Sequence, residues 1–440
     1  MKNLFLTNRF YYGVALLIAA MMLSYPFPFL LPFAKTVCIL YAVVILIDIL
    51  LLYGTGIKIV IKRDAPPVLS LGDDNTITIS LVNKSGIRLR GEVIDELPEQ
   101  LQVRDFLRRV DLLPNKQHAL TYAIHPVTRG EYAFGHVHVF VTTALGLIRK
   151  RISSGEKERI PVYPSIIQMK KYELKAFART ATEYGVKKVR RIGHSYEFEH
   201  IKQYVQGDDY RSINWRATGR RATLMVNQYE DEKSQQIYCI IDKSRVMHMP
   251  FNGMSLFDYA VNTALVISNI VLGKQDKAGL ITFAEVPKGM VKADRSKVQL
   301  KKIIETLYKE KEAPVEANYE RMYMASQKLI TGRGLLFLFT NFESTYALHR
   351  VIPQLQKLND KHVLVVIFFE NNEISSQTSV KVETLENIYT QATAEHYALT
   401  KVQLLQELRQ YGIMGIMTKP ESLTISTINK YLEVKSRGMI

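Results

Sequence analysis

Three groupings in this 440-residue sequence have residue types and spacing that chemistry can use. The densest runs from Glu197 to Glu230, where Gly207, Asp208 and Asp209 are followed closely by Arg211, Trp215, Arg216, Arg220 and Arg221. Two adjacent acids with His194 and His200 nearby suggest a metal for hydrolysis or nucleotidyl transfer, but two-metal sites need a third acid, and none stands at useful spacing. The second grouping is Asp242-Lys243-Ser244, two oxygen-bearing side chains at the end of an apolar run. A hard divalent cation takes about six oxygens, so this pair alone supplies too few; an ion held there would be Mg2+, and no cofactor is expected. The third is Asp48, alone within an apolar stretch where a carboxyl group is costly. A position near a helix end, or a partner across the hairpin, is its bland explanation.

Other chemistry lacks its residues. After Ile241 the sequence has neither a Gly-x-Gly-x-x-Gly turn nor a Gly-x-x-x-x-Gly-Lys-Ser/Thr loop, so no phosphate cradle is expected there. No Gly-x-Ser-x-Gly, His-Glu-x-x-His or Cys-x-x-Cys motif occurs, and no catalytic residue is assigned. His118, His125, His136 and His138 fall on alternating segments and read as strand-surface side chains. Cys38 and Cys239 both sit in apolar runs and offer neither a disulfide framework nor a thiolate cluster.

The elements that must position these groups follow from periodicity. From Gln236 onward, apolar runs (Gln236 to Asp242, Ala278 to Ala284, Leu335 to Thr340, Val363 to Phe369, Ile413 to Met417) alternate with helical spacing (Leu256 to Leu272, Lys297 to Lys309, Tyr319 to Ile330, Tyr346 to Leu358, Leu385 to Tyr411, Ser422 to Val434). Continuous apolar strands separated by helices predict a doubly wound, Rossmann-type parallel sheet over 237–440, with a short edge strand near Gly289 to Lys292. Asp242 then stands at the carboxyl end of the first strand, where such sheets place ligands. Residues 56–165 alternate apolar and polar between turn residues, as in Ile77 to Leu81 and Val137 to Val141, and predict a β-sandwich. Residues 166–236 form a basic connecting segment: Asp208 or Asp209 caps a helix, the arginines pair with Asp208, Asp209, Glu197 or Glu199, and Trp215 anchors the segment by packing.

Residues 1–55 are nearly all apolar over Phe10 to Phe33 and Thr36 to Tyr53, broken by Pro26, Pro28, Pro32 and Lys35. About 20 residues cross a bilayer core, so a two-helix transmembrane hairpin is expected. Lys2, Arg9, Lys58, Lys62 and Arg63 flank the runs and place both ends, with the domains that follow, on the cytoplasmic side of the cell membrane. A net charge of +16 favours anionic lipid head groups over nucleic acid, for which no reader module is present.

The ordered series Glu197, Phe198, Tyr204, Gly207, Asp208, Asp209, Arg211, Ile213, Trp215, Ala217, Arg220 or Arg221, and Tyr229 with Glu230 resembles the bacterial domain-of-unknown-function 58 (DUF58) family; Asn214 departs, standing where an acid is common. The resemblance implies the order membrane helices, β-sandwich, motif, and a von Willebrand factor A-like domain whose Asp-x-Ser-x-Ser pattern is met only at Asp242 and Ser244, the third position being Val246. It also implies a MoxR-type AAA+ ATPase as partner. The expected function is a membrane-anchored, non-enzymatic scaffold that binds protein, with Glu197, Tyr204, Gly207, Asp208, Asp209, Arg211, Trp215, Arg216 and Arg220 as the binding motif. An ion-dependent binder, or a metal-dependent hydrolase, is the alternative.

Overall fold

The computed structural model describes residues 3–54, 56–153, 157–173, 197–206, 208–230, 234–370 and 385–440. The chain is a multi-domain α/β protein in two compact units, Met1–Ile166 and Ile167–Ile440.

The first unit opens with a short strand β1 (Leu4–Leu6), then two apolar helices, α1 (Asn8–Ser24) and α2 (Leu31–Ile49), the second continuing in wider π turns through Gly54. Leu31–Gly54 is 24 residues, long and apolar enough to cross a membrane, and 11% of its most apolar stretch is buried. This helix starts earlier than the proline spacing predicts: Pro32 lies in its first turn, where a missing N–H costs no intrahelical bond. Tyr41 donates to the Phe10 carbonyl at 3.0 Å and lies against Gly13, whose missing Cβ makes room for the ring.

Ten strands follow: β2 (Ile59–Asp64), β3 (Leu69–Ser70), β4 (Asn75–Asn83), β5 (Leu89–Asp95), β6 (Arg108–Leu112), β7 (Gln117–Ile124), β8 (Gly130–Phe134), β9 (Val137–Thr142), β10 (Ile148–Ser153) and β11 (Glu158–Tyr163). They form sheets ordered β1-β10-β9-β5-β6, β2-β4-β7 and β3-β11-β8. Alternate residues are buried, Ile77, Ile79 and Leu81 on β4 and Leu89 and Val93 on β5, so each sheet turns one face to the core. Arg63 on β2 pairs with buried Asp95 on β5 and reaches the Gly135 carbonyl at 3.0 Å. The Tyr122 hydroxyl on β7 also donates to Asp95, and the Arg63 guanidinium lies 5.2 Å from the centre of the Phe134 ring on β8. One buried cluster thereby joins all three sheets. The strand β1, read from the sequence as part of an all-helical leader, pairs antiparallel with β10 from Leu4 with Lys150 to Leu6 with Ile148.

After helical residues at 167–173, the second unit has an antiparallel pair, β12 (Glu197–Gln203) and β13 (Met225–Glu230), enclosing the short helix α3 (Trp215–Arg221). Next come β14 (Gln236–Asp242), a tight hairpin of β15 (Pro250–Phe251) and β16 (Met254–Ser255), α4 (Leu256–Gly273), β17 (Lys277–Phe283), β18 (Met290–Asp294), α5 (Gln299–Lys309), α6 (Tyr319–Leu329), β19 (Gly334–Phe339), α7 (Thr345–Lys361), β20 (Val363–Phe369), α8 (Leu385–Gln410), β21 (Met414–Thr418) and α9 (Leu423–Ser436). The hairpin, not expected from the sequence, turns on Asn252 and Gly253, both at positive φ.

The sheet order is β18-β17-β14-β19-β20-β21, parallel except for the edge strand β18. Helices α4, α5 and α9 cover one face. On the other, side chains of α6, α7 and α8, including Met322, Leu348, Leu355 and Leu404, pack on Tyr238, Ile240, Leu336 and Leu338. Helix α4 is apolar enough for a membrane but 78% buried, which makes it a core helix of this domain. The chain leaves β14 toward β17 on one side and returns to β19 on the other, so the carboxyl ends of β14 and β19 border the crevice where strand order reverses.

Candidate functional site

At that crevice the last residues of β14 and the residue after β19 meet. Asp242 is fully buried. Its Oδ1 accepts the Ser244 N–H at 2.9 Å, and its Oδ2 accepts the Thr340 hydroxyl at 2.8 Å and the Tyr319 hydroxyl at 3.4 Å. The Tyr319 and Thr340 oxygens also lie 2.7 Å apart, so with Thr340 donating to Asp242 the Tyr319 proton is shared between Thr340 and the longer contact to Asp242. Burial pushes the Asp242 carboxyl above the ordinary carboxylate range, against the hydrogen bonds from Ser244, Thr340 and Tyr319. Tyr319 is held far above its usual value, first by burial and then by the Asp242 charge.

Beside this cluster Lys401 of α8 is 2% exposed; its Nζ donates to Asn341 Oδ1 at 2.7 Å and to the Phe342 carbonyl at 2.5 Å. The ammonium also lies 5.2 Å from the Tyr397 ring centre and 6.0 Å from that of Phe368. Burial lowers Lys401 to about 8. On the neighbouring loop Lys243 and Glu310 form a buried ion pair at 2.5 Å. Neither Tyr319, Thr340 nor Lys401 was a site residue in the sequence reading. Tyr319 enters at the first position of α6, directly after its capping residue Asn318.

A divalent ion fits this arrangement poorly. Among the described residues no three His, Cys, Asp or Glu side chains converge. Asp242 is the single acid of its cluster, burial opposes its charge, and protein donors already occupy both of its oxygens. Asp242 and Ser244 do adjoin, as the vestigial pattern requires, but Ser244 reaches Asp242 through its backbone N–H.

In the connecting segment the structure reassigns most partners. Asp208 accepts Lys202 Nζ at 2.7 Å and the Val205 N–H at 3.1 Å, contacts that, with Lys202 the larger, hold its carboxyl below the ordinary range. Asp209 caps the turn Tyr210–Ser212 by accepting the Arg211 N–H at 3.0 Å. Asn214 caps α3 through the Ala217 N–H at 3.0 Å, while its amide donates to Asn227 Oδ1 at 2.7 Å. At the position that departs from the resembled pattern, Asn214 thus both caps the helix and reaches β13. Tyr204 donates its N–H to the Leu224 carbonyl at 2.8 Å, closing the base of the β12-β13 pair.

Two expectations are corrected. Among the described residues, Arg211, Arg216, Arg220 and Arg221 make no ion pair with Asp208 or Asp209, because Lys202 and backbone amides reach those acids first; the Glu197 and Glu199 side chains, the other expected partners, lie outside the described residues. Trp215 does not anchor the segment: it stands at the first position of α3, 71% exposed, with Tyr210 69% exposed nearby in sequence. Arg211, Arg216, Arg220 and Arg221 are exposed as well, and the Arg211 guanidinium lies 5.7 Å from the Tyr210 ring centre. Gly207 and His194 lie outside the described residues, and Glu197 and His200 are placed only as positions on β12.

In the first unit Asp48 is fully buried although it lies in a largely exposed apolar helix. Its carboxyl group accepts the Thr143 hydroxyl and the N–H groups of Leu147 and Ile148, the latter two at 3.0 Å. This accounts for the acid without an ion pathway. Of the strand histidines, His138 donates or accepts at Glu96 (2.8 Å) and Ser153 (2.8 Å), and His125 pairs with Asp74 (3.2 Å).

Comparison with known proteins gives one family match that falls within the second unit. A curated relative, the uncharacterized protein YeaD of Bacillus subtilis (strain 168), is 25% identical over 223 residues, which cover 49% of this chain and 54% of that protein. The match thus spans about half the length of each. Among solved structures, native alpha-2-macroglobulin of Escherichia coli aligns with 25% of this chain over 17% of its own length, at 16% identity and a TM-score of 0.22. The CARDB domain of a Pyrococcus furiosus protein, solved with di-metal ions, aligns with 24% of this chain over 93% of its own, at 14% identity and a TM-score of 0.17. Both scores are too low to establish a shared fold. Residues 200–392, from β12 into α8, match the family described as "Protein of unknown function DUF58".

Proposed function

We infer that this chain is a membrane-anchored, non-enzymatic adaptor whose second unit, a von Willebrand factor A-like domain with its preceding motif, binds protein. The observation that carries the reading is the exposure of Trp215 and Tyr210 among arginines on and before α3. An exposed indole gains no stability from its apolar area, whereas Trp, Tyr and Arg are the side chains that dominate binding energy at protein interfaces. The arginines call for an acidic partner surface. The resemblance to DUF58 proteins makes a MoxR-type AAA+ ATPase the partner to test. The apolar helices supply the anchor, and the flanking lysines and arginines favour a cytoplasmic orientation in the cell membrane. An ion-dependent version of this binder has less support, because protein donors occupy both oxygens of Asp242.

The test is a crosslinking pull-down of the full-length protein from nuclease-treated native membranes, beside Trp215→Ala and Arg216→Ala variants with unchanged thermal unfolding. Recovery of an AAA+ ATPase by the wild type and its loss with either variant supports the adaptor. Equal recovery with the variants moves the docking face elsewhere, and loss of every captured protein on nuclease treatment points to nucleic acid instead.

A further inference from the structure

The turn between β9 and β10 is held by Thr7, just before the apolar hairpin, and by Asp48 within its second helix. The Thr7 hydroxyl, just before α1, donates to the Gly146 carbonyl at 2.7 Å, and the Thr7 N–H donates to the Leu147 carbonyl at 3.1 Å. From α2, Asp48 accepts Thr143, Leu147 and Ile148 as described. The turn therefore moves with the hairpin, and β1 pairing with β10 extends the same attachment.

The position of Asp48 along α2 sets the depth of this turn. At about 1.5 Å per residue, Asp48 lies roughly 26 Å along the axis from Leu31, and the helical run continues roughly 9 Å further to Gly54. A hydrocarbon core is about 30 Å thick. In a spanning helix the turn thus sits beside the last turns before the helix end, at the level where acyl chains give way to head groups. Its composition matches that level. Ala144 and Leu145 are exposed at the tip, Leu145 by 40%, although Thr143, Gly146 and Ile148 around them are buried. Arg9 extends across Gly146, where a Cβ would come within 3.3 Å of its Nη1, and the Lys150 ammonium lies 4.6 Å from the Tyr53 ring centre. An apolar tip rimmed by an aromatic ring and long cationic side chains is what an interfacial seat requires.

We propose that the 143–148 turn is a membrane-seating element: Leu145 enters the head-group boundary of the bilayer while Arg9 and Lys150 contact anionic lipid phosphates. The seat fixes the height of the strand-rich region over the membrane, through the clamp at Asp48 and Thr7. It rests on the reading of the hairpin as a membrane anchor, and the experiment separates the two.

Full-length protein carrying Trp215→Phe, which removes the native tryptophan, is placed in nanodiscs with a single new tryptophan, either Leu145→Trp or, within α1, Leu16→Trp. The lipids are brominated at a shallow acyl position, in phosphatidylcholine with or without phosphatidylglycerol. The seat predicts quenching of both tryptophans, with that at 145 at least twofold stronger when phosphatidylglycerol is present. Quenching at 16 without quenching at 145 overturns the seat and leaves the anchor standing. Absence of quenching at both positions overturns the anchor itself. Equal quenching at 145 in the two lipid mixtures overturns the contact with anionic phosphates.

Discussion

The hydroxyl of Thr340 stands 2.8 Å from Oδ2 of Asp242, joining the ends of the two neighbouring strands between which the sheet reverses its order. The crevice that in related sheet architectures admits a ligand is here closed by a hydrogen-bonded acid, two hydroxyls and the nearby ammonium of Lys401.

Removing the acid leaves the Thr340 hydroxyl and the Ser244 N–H short of an acceptor, while Tyr319 can still donate to Thr340. Asp242→Ala is expected to lose about 2–4 kcal/mol of stability, and Thr340→Val about 1 kcal/mol. Asp242→Asn, which keeps an acceptor oxygen, should fall between wild type and the alanine variant. Thermal unfolding of the full chain in detergent reads the order, and chelator or Mg2+ should shift the wild-type midpoint little; a large Mg2+ stabilisation lost in Asp242→Asn contradicts the closed site.

Lys401 gives a pH signature. Its folded value of about 8 lies below the roughly 10.4 of a free lysine, so at pH below about 8 both states hold the proton and the burial penalty is present in full. Between about pH 8 and 10.4 the unfolded chain holds more protons, so this residue's contribution to stability rises with pH, by up to ~3 kcal/mol. Wild type should therefore gain on Lys401→Met across that window when the two unfolding midpoints are compared pH by pH. A constant difference would place Lys401 in contact with water.

Arg63 and Asp95 are both buried, so severing the pair strands a charge. Arg63→Met should cost about 3–5 kcal/mol, while Tyr122→Phe, which removes one hydrogen bond, should cost about 1–2 kcal/mol. Chemical denaturation followed by far-UV circular dichroism distinguishes the two sizes.

Trp215 is the single tryptophan, which makes intrinsic fluorescence a direct probe of the docking face. Free protein should show water-like emission open to iodide quenching, and Trp215→Ala should change stability by less than about 0.5 kcal/mol. Binding of the partner should shift the emission to the blue, and Trp215→Ala should weaken binding tenfold or more.

Asp48→Ala should release the turn it holds. Amide exchange at Leu147 and Ile148 is expected to quicken at least tenfold, with exchange in β4 and β7, away from the clamp, unchanged.

Much of the architecture was legible in the sequence because burial on both faces of a parallel sheet demands unbroken apolar runs. The strands at Gln236, Lys277, Gly334, Val363 and Met414 begin within about one residue of where those runs do. The apolar helices were legible for a similar reason, their length and lack of charge, although Pro32 misled the boundary, since a proline that breaks a helix interior is welcome in a first turn. Turn capping at Asp209 was legible too, because its bond is to a residue two positions on and such local bonds need no tertiary partner to be foreseen.

Contacts between distant residues were decided by the tertiary structure alone. Asp48 meets Thr143, Leu147 and Ile148 about a hundred positions away, Asp242 meets Tyr319 and Thr340, and Lys401 meets Asn341; none of these separations carries a periodic signal. The same holds for Trp215. Its apolar area predicts burial, but α3 is short and leaves the ring in solvent, so the side chain expected to hold the segment in place is instead presented outward. Sequence determined which segments become strands and helices, because that depends on neighbours within a turn or two. Which acids are neutralised, which cations are enclosed and which aromatic rings face outward depends on what packing brings beside them.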